Sequence, residues 1–311
     1  MADLLRNREP QAYLNGERVP LSQAAVSVFD GGFVQGVTVA EQLRTFGGKL
    51  FRLETHLARL ARSLAIIGVD PGISLNALGQ IATELTEENA SLLDPADDQN
   101  VTIFVTPGAY GSYTAVAGHQ GPTICIHTQP LPFGQWAEKY RTGESLVVTD
   151  VRQVPAACWP AELKCRSRMH YFLADRKARQ MDAGARALLL DERGFIMEAS
   201  TANILVYRPE EGLLSPRKED ILPGVTVAVL KEFVGRLNIP FKHRDLSVED
   251  AASAEEMLLC STSPCVLSVT RLNGQPIGDG QPGRVARRLR DSWNSLVGVD
   301  IETQASRFAK R

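Results

Sequence analysis

The sequence predicts a mixed α+β chain in two domains, and three observations carry that reading. Apolar residues recur at helical spacing in some stretches and alternate or cluster in short runs elsewhere. Turn signals rich in Gly, Pro and Asn separate these stretches from one end to the other. The length of 311 residues is enough for one large or two medium cores.

Short strand-like pieces open the chain: Ala12-Tyr13-Leu14, an Asn15-Gly16 turn, then Arg18-Val19. Residues 37–46 read as a strand, Gly47-Gly48 as its turn, and 49–52 as the returning arm. Leu57, Leu60, Ala61, Leu64 and Ile67 then recur at helical spacing, and Gly68 stops that helix. A second helix is expected over 75–85, with Ser74 as its cap. Residues 101–106 and 123–127 read as strands. The polar, Pro-containing stretch 129–143 reads as a linker, which sets an N-terminal domain at 1–130, a linker at 131–143 and a C-terminal domain at 144–311. In the second domain a strand over 145–151 precedes a helix over 167–181, capped by Ser167 and followed by Gly184. Residues 186–191 and 195–198 form a hairpin around Glu192-Arg193-Gly194, where Gly supplies the left-handed position. A strand at 203–207 follows. Pro223-Gly224 starts a helix that buries Val227, Leu230, Phe233, Val234 and Leu237. Strands at 256–260 and 266–272 and a last helix over 283–296 complete the pattern.

Composition excludes several classes. Hydrophobic residues make up 44% and charged residues 23%, and the formal net charge is -2. No broad basic excess points to nucleic acid, and the basic cluster 284–290 reads as a solvated helix face. No apolar stretch approaches the roughly 18 residues of a membrane span. The opening residues Met1 to Arg6 lack a signal-peptide core, so a cytoplasmic location is expected. Five cysteines with no C-x-x-C argue against a disulfide framework or a structural zinc site, and no metal is expected.

Several residues can carry chemistry, each with a plainer alternative. Lys164 lies between Leu163 and Cys165, after a Pro-containing turn. Desolvation there would lower its pKa and suit it to Schiff-base chemistry, although read alone it is most simply a surface lysine. Glu198 ends an apolar strand and can pair with a buried cationic ring nitrogen or cap a turn. Pro223-Gly224-Val225-Thr226 presents free N–H groups at a helix start, a ready anion site that in most helices meets only water. Ser261-Thr262-Ser263 offers hydroxyls to an anion or is simply a polar loop. Arg59 is a polar insert on an apolar helix, and its default is a snorkelling surface residue.

The order of these pieces is more specific than any one of them. Phe29-Asp30-Gly31-Gly32-Phe33, Glu41-Gln42-Leu43-Arg44 and the run from Phe51 to Leu60 come first. Leu163-Lys164, Glu198-Ala199-Ser200-Thr201-Ala202-Asn203-Ile204, Ile221-Leu222-Pro223-Gly224-Val225-Thr226 and Ser261-Thr262 follow. From about Tyr13 to about Gly283 the chain resembles the class IV aminotransferases, the fold-type IV pyridoxal-phosphate (PLP) family. That family includes branched-chain and D-amino-acid aminotransferases and aminodeoxychorismate lyase.

The resemblance implies a two-domain fold-type IV PLP enzyme, with a smaller N-terminal α/β domain and a larger C-terminal pseudo-barrel α+β domain. It implies a PLP-dependent transaminase that moves an amino group between an amino acid or amine and a 2-keto acid by a ping-pong aldimine mechanism. Lys164 matches the family's aldimine lysine, which lies on a strand of the C-terminal domain, and its freed amine moves the proton. Glu198 matches the carboxylate at the pyridine nitrogen, and Arg59 the phosphate-binding arginine. Val225 and Thr226 match backbone phosphate donors, and Thr262 a further phosphate contact. The family's sites lie between the two domains near a dimer interface, so a homodimer is expected. Gln35 and Ala40 stand where branched-chain members carry aromatic residues, and Gln42 where a glycine is usual. Met169 replaces a tyrosine that contacts the cofactor hydroxyl. Gln35, Arg44 and Arg166 are substrate-binding candidates, the two arginines for a carboxylate; Arg44 can instead be structural, and Arg166 is more simply a surface or interface arginine. A lyase of the aminodeoxychorismate type and a D-amino-acid or (R)-amine transaminase remain open alternatives.

Overall fold

The structure, a computed structural model, describes residues 9–111, 119 and 121–311. The N-terminal reading over Met1 to Arg6 lies outside the described residues. The chain divides into two units, 1–131 with 163–167, and 132–162 with 168–311.

The first unit is an antiparallel sheet with two helices on one face. Its strands are β1 (Gln11–Leu14), β2 (Glu17–Pro20), β3 (Val39–Phe46), β4 (Lys49–Leu50), β5 (Gln99–Thr106) and β6 (Thr123–Pro130). They lie in the order β2-β1-β6-β5-β3-β4. Asn15 and Gly16 take φ of 50° and 101°, so the first hairpin closes with the expected turn. A short helix α1 (Gly31–Val34) is capped by Asp30, whose carboxylate accepts the Gly32 N–H. Strand alternation turns Val39, Leu43, Val101, Ile103 and Ile126 to one face, where they pack with Leu57, Leu60, Leu64, Leu78 and Leu85. Those leucines come from α2 (Leu53–Ile67) and α3 (Leu75–Ala90). Gly68 ends α2 in the left-handed conformation, and Ser74 caps α3 by accepting the Ala77 N–H. The second helix runs past the expected residue 85 to Ala90, because Leu85, Thr86 and Asn89 still face the core.

The second unit is a mixed sheet of nine strands. In chain order its elements are α4 (Lys139–Thr142), β7 (Glu144–Val148), α5 (Met169–Met181), β8 (Arg186–Leu190), β9 (Ile196–Ala199), β10 (Ala202–Arg208) and β11 (Gly212–Ser215). Next come α6 (Val225–Arg236), β12 (Phe241–His243), α7 (Val248–Ala252), β13 (Glu256–Ser261), β14 (Cys265–Leu272) and β15 (Gln275–Pro276). The helices α8 (Arg284–Val297) and α9 (Ile301–Phe308) end the chain's regular structure. The strand order is β12-β11-β10-β13-β14-β7-β8-β9, and β9 also pairs with β10. That last pairing closes β10-β13-β14-β7-β8-β9 into a ring, the expected pseudo-barrel. β7 runs parallel to both β14 and β8, which requires the long crossover that carries α5.

Three local expectations change. Ser167 does not cap α5: Arg168 occupies the cap, and the Ser167 hydroxyl donates to the Gly36 carbonyl instead, at 2.7 Å. The joining stretch is well packed, with Leu131, Phe133, Trp136 and Tyr140 all buried. Of the basic cluster 284–290, Arg290 is buried beside Glu302 of α9, a helix that the sequence reading lacks. Arg284, Arg287 and Arg288 keep the solvated face. No helix among the described residues is long and apolar enough to cross a membrane.

Leu78 is fully buried between α2, α3 and the sheet. Leu78→Ala should therefore cost about 3 kcal/mol of unfolding free energy, through lost burial plus the cavity left behind. Urea denaturation followed by circular dichroism measures it.

Candidate active site

In the second unit the chemistry gathers around Glu198, on β9 and directly opposite Asn203 of β10. Its side chain is buried. Oε1 accepts the Asn203 Nδ2–H at 2.9 Å and the Leu222 backbone N–H at 2.8 Å. Oε2 accepts the Tyr171 hydroxyl of α5 at 3.2 Å. These donors replace water around the charge and fix the plane of the carboxylate. Burial and the Glu198 charge both push the Tyr171 phenol up, so it stays protonated and donating.

The Asn203 amide also donates to the Leu222 carbonyl at 3.0 Å, so it ties β10 to the segment that leads into α6. Gly224 caps that helix, and a Cβ there would collide with the Asn203 Oδ1. No side chain caps α6, and its first residues Val225 and Thr226 are buried. A buried helix start with no side-chain cap presents N–H groups and the positive end of the helix dipole, the chemistry of a phosphate cradle. Thr262 follows Ser261 in the tight connection that the Ser261–Cys265 pair closes, and is half-buried.

The first unit holds Lys164, Arg59 and two residues that the sequence reading assigned no role. Lys164 belongs to the segment 163–167, which packs with this unit. It does not lie on a strand of the second unit, as the resemblance implied; its segment makes a single bridge, Val39 to Cys165. The Lys164 carbonyl accepts the Ala40 N–H at 3.0 Å, and its own N–H donates to the Ser63 hydroxyl of α2 at 3.2 Å. Arg59 is not a snorkelling surface residue. It is buried, and donates through Nε and Nη2 to Glu41 at 2.7 and 2.8 Å. His56 Nδ1 lies 2.7 Å from the same carboxylate. Burial alone would push the Glu41 carboxyl up, but hydrogen bonds from Arg59 and His56 and the Arg59 charge outweigh it and hold the pKa at about 2. Burial pushes the His56 pKa down against the pull of Glu41, so the neutral ring donates Nδ1–H.

The substrate candidates are more scattered. Gln35 ends α1 and is exposed. Arg44 is buried, its Nε donates to the Thr45 carbonyl, its Nη2 lies 3.9 Å from Asp98, and its guanidinium stacks over Phe46. Arg166 is exposed, and its backbone N–H donates to the Thr38 carbonyl. Met169 is 70% exposed, and the hydroxyl that meets Glu198 is that of Tyr171. Tyr171 and Asn203 were missed as site residues. Only the rotation of α5 and the pairing of β9 with β10 bring them to Glu198. Glu41 had a signal, a carboxylate on the same strand face as Val39 and Leu43.

The family model for class IV aminotransferases (Amino-transferase class IV) matches residues 38–272. The chain therefore belongs to the class IV aminotransferases. It is 28% identical over 291 residues to a D-alanine aminotransferase of Staphylococcus aureus, covering 92% of this chain and 97% of that one. It is 25% identical to the branched-chain-amino-acid aminotransferase-like protein 2 of Arabidopsis thaliana, over 96% of this chain and 52% of that one. Among solved structures, an Escherichia coli branched-chain amino acid aminotransferase superposes with a TM-score of 0.84 at 21% identity, covering 93% of this chain and 95% of that one. A branched-chain amino acid aminotransferase of Thermoproteus uzoniensis with norvaline gives a TM-score of 0.79 at 22% identity, covering 96% and 98%. These superpositions establish the fold.

Two outcomes follow from the geometry. Gly224→Ala should destabilise the protein, because its Cβ displaces the Asn203 amide from Glu198. Gly235→Ala, on the same helix with open space around its Cα, should instead stabilise it by up to about 1 kcal/mol. Paired denaturation curves test the contrast. Ionised Glu41 should contribute stability that is fully present above about pH 4.5 and lost as the pH falls towards 2, since the unfolded chain takes up the proton first. The difference in unfolding free energy between wild type and Glu41→Gln, measured across that range, should shrink with falling pH.

Proposed function

We propose that the chain is a PLP-dependent aminotransferase that exchanges an amino group between an amino acid and a 2-keto acid. The observation that carries this reading is the buried Glu198 carboxylate, held by three donors in the same unit as the side-chain-uncapped start of α6. The two features match the two charged ends of one cofactor, a protonated pyridine and a phosphate. The cradle at Gly224, which a Cβ would fill, fits the phosphate, and the anionic donor-fixed Glu198 fits the ring nitrogen.

In this reading Val225, Thr226, Thr262 and Arg59 bind the phosphate, and Glu198 keeps the ring nitrogen protonated. Bound PLP supplies an electron-withdrawing ring that stabilises negative charge at the substrate's Cα. Lys164 would hold the cofactor through Nζ and, once the incoming substrate amine has displaced it, would use the freed amine to take the proton from Cα. Its backbone is fixed by Ala40 and Ser63, which limits where Nζ can reach. Gln35, Arg44 and Arg166 remain the candidates for substrate contact, with Arg166 the accessible one of the two arginines. The functional unit is a homodimer, acting on small-molecule substrates in the cytoplasm.

The D-alanine aminotransferases among the relatives favour an amino-acid donor, and a panel of L- and D-amino acids and amines separates the possibilities. Wild-type protein loaded with PLP should transfer nitrogen from at least one amino acid to 2-oxoglutarate or pyruvate. Lys164→Ala should lose turnover by at least about a hundredfold. Full activity in that variant would overturn the reading. Pyruvate release from aminodeoxychorismate without amino exchange would overturn it in favour of the lyase.

A further inference from the structure

Glu41 is a carboxylate with no solvent exposure on the face of β3 that carries Val39 and Leu43 into the apolar core. Such a group is costly unless charged partners and donors surround it, and a buried ion pair is often no more stable than apolar residues of the same size. A need for stability alone therefore does not explain its presence. What the pair does supply is orientation. Arg59 meets Glu41 side-on through its Nε–Nη2 edge, with both bonds short. The neutral His56, one turn earlier on α2, donates to the same carboxylate and holds it in plane. Two of the three guanidinium nitrogens are committed to this grip, which fixes the direction of the Nη1 end. Ser63 lies one turn beyond Arg59 on α2 and receives the Lys164 N–H. One helix thus anchors both the arginine and the backbone of the lysine.

We propose that Glu41 and His56 are positioning residues for the cofactor phosphate, clamping Arg59 in the orientation that meets it. The proposal rests on the reading of Arg59 as a phosphate ligand. Glu41 also offsets part of the Arg59 charge, so the gain comes from a preset guanidinium, which loses little freedom on binding.

Affinity for PLP and for pyridoxal, which lacks the phosphate, separates positioning from general structural support. Protein freed of cofactor is titrated with each, and bound cofactor is read by absorbance. Glu41→Gln should weaken PLP by about tenfold or more while pyridoxal changes by less than about twofold. Equal weakening of both, or no weakening of PLP, overturns the proposal. Arg59→Lys keeps the charge and loses the fork, and should show the same phosphate-specific loss. If Arg59→Lys shows none, the reading of Arg59 falls and the proposal with it. If it does and Glu41→Gln does not, the proposal alone falls. Should Glu41→Gln fail to fold, Glu41→Asp keeps the charge but withdraws the carboxylate by one methylene. A smaller loss confined to PLP is then expected, and its absence overturns the proposal.

Discussion

A carboxylate removed from water is costly unless donors replace its hydration, and the second unit is arranged around meeting that demand at Glu198. The three donors come from separate places: a side chain on the neighbouring strand, a backbone amide before α6, and a phenol on α5. Each fixes something else in turn. Asn203 must keep its amide against both Glu198 and the Leu222 carbonyl, so the residue at 224 can have no side chain. The absence of a side chain there lets α6 begin against β10 with its first N–H groups unmasked by any cap. The carboxylate, the glycine and the helix start are consequences of one packing arrangement, so a shift at one of them displaces the others.

The first unit solves a related problem with opposite chemistry. Its sheet buries one apolar face under α2 and α3, and a full ion pair sits within that face. Arg59 and Glu41 compensate each other, while His56 completes the carboxylate without adding charge. A polar network enclosed in this way has few alternative arrangements, since every shift would leave a buried donor or acceptor unmet. Rigidity of that kind suits a residue whose orientation matters more than its charge.

Local chemistry explains which elements were legible beforehand. Asn15-Gly16, Gly68, Ser74 and Gly194 act through their own backbone angles or a neighbouring amide, so their roles hold in the fold. Ser167 has the same capping capacity, but the Gly36 carbonyl, far away in sequence, competes for its hydroxyl and wins. The end of α3 was placed too early because polar residues, Thr86 and Asn89, continue its buried face. The signals for α9 are present, an Asp300 cap and apolar Ile301, Ala305 and Phe308 at helical spacing, but its eight residues span only about two turns, too short a stretch for periodicity to stand out. For the site, Lys164, Glu198, Val225, Thr226 and Thr262 were named from ordered motifs, while Tyr171 and His56 had no sequence signal of their own.

By itself the sequence determined the fold class, the family motifs and the residue types able to meet a phosphate and a ring nitrogen. These depend on periodicity, turn chemistry and the fixed order of short segments. Tertiary structure alone decided which groups complete the charges: that Arg59 faces Glu41 rather than water, that the Tyr171 hydroxyl reaches Glu198, and that Lys164 packs with the first unit. The physical reason is distance along the chain. Glu41 and Arg59 lie 18 residues apart, Tyr171 and Glu198 27, and Ser63 and Lys164 101, so only the assembled sheets and helices bring each pair within hydrogen-bond reach.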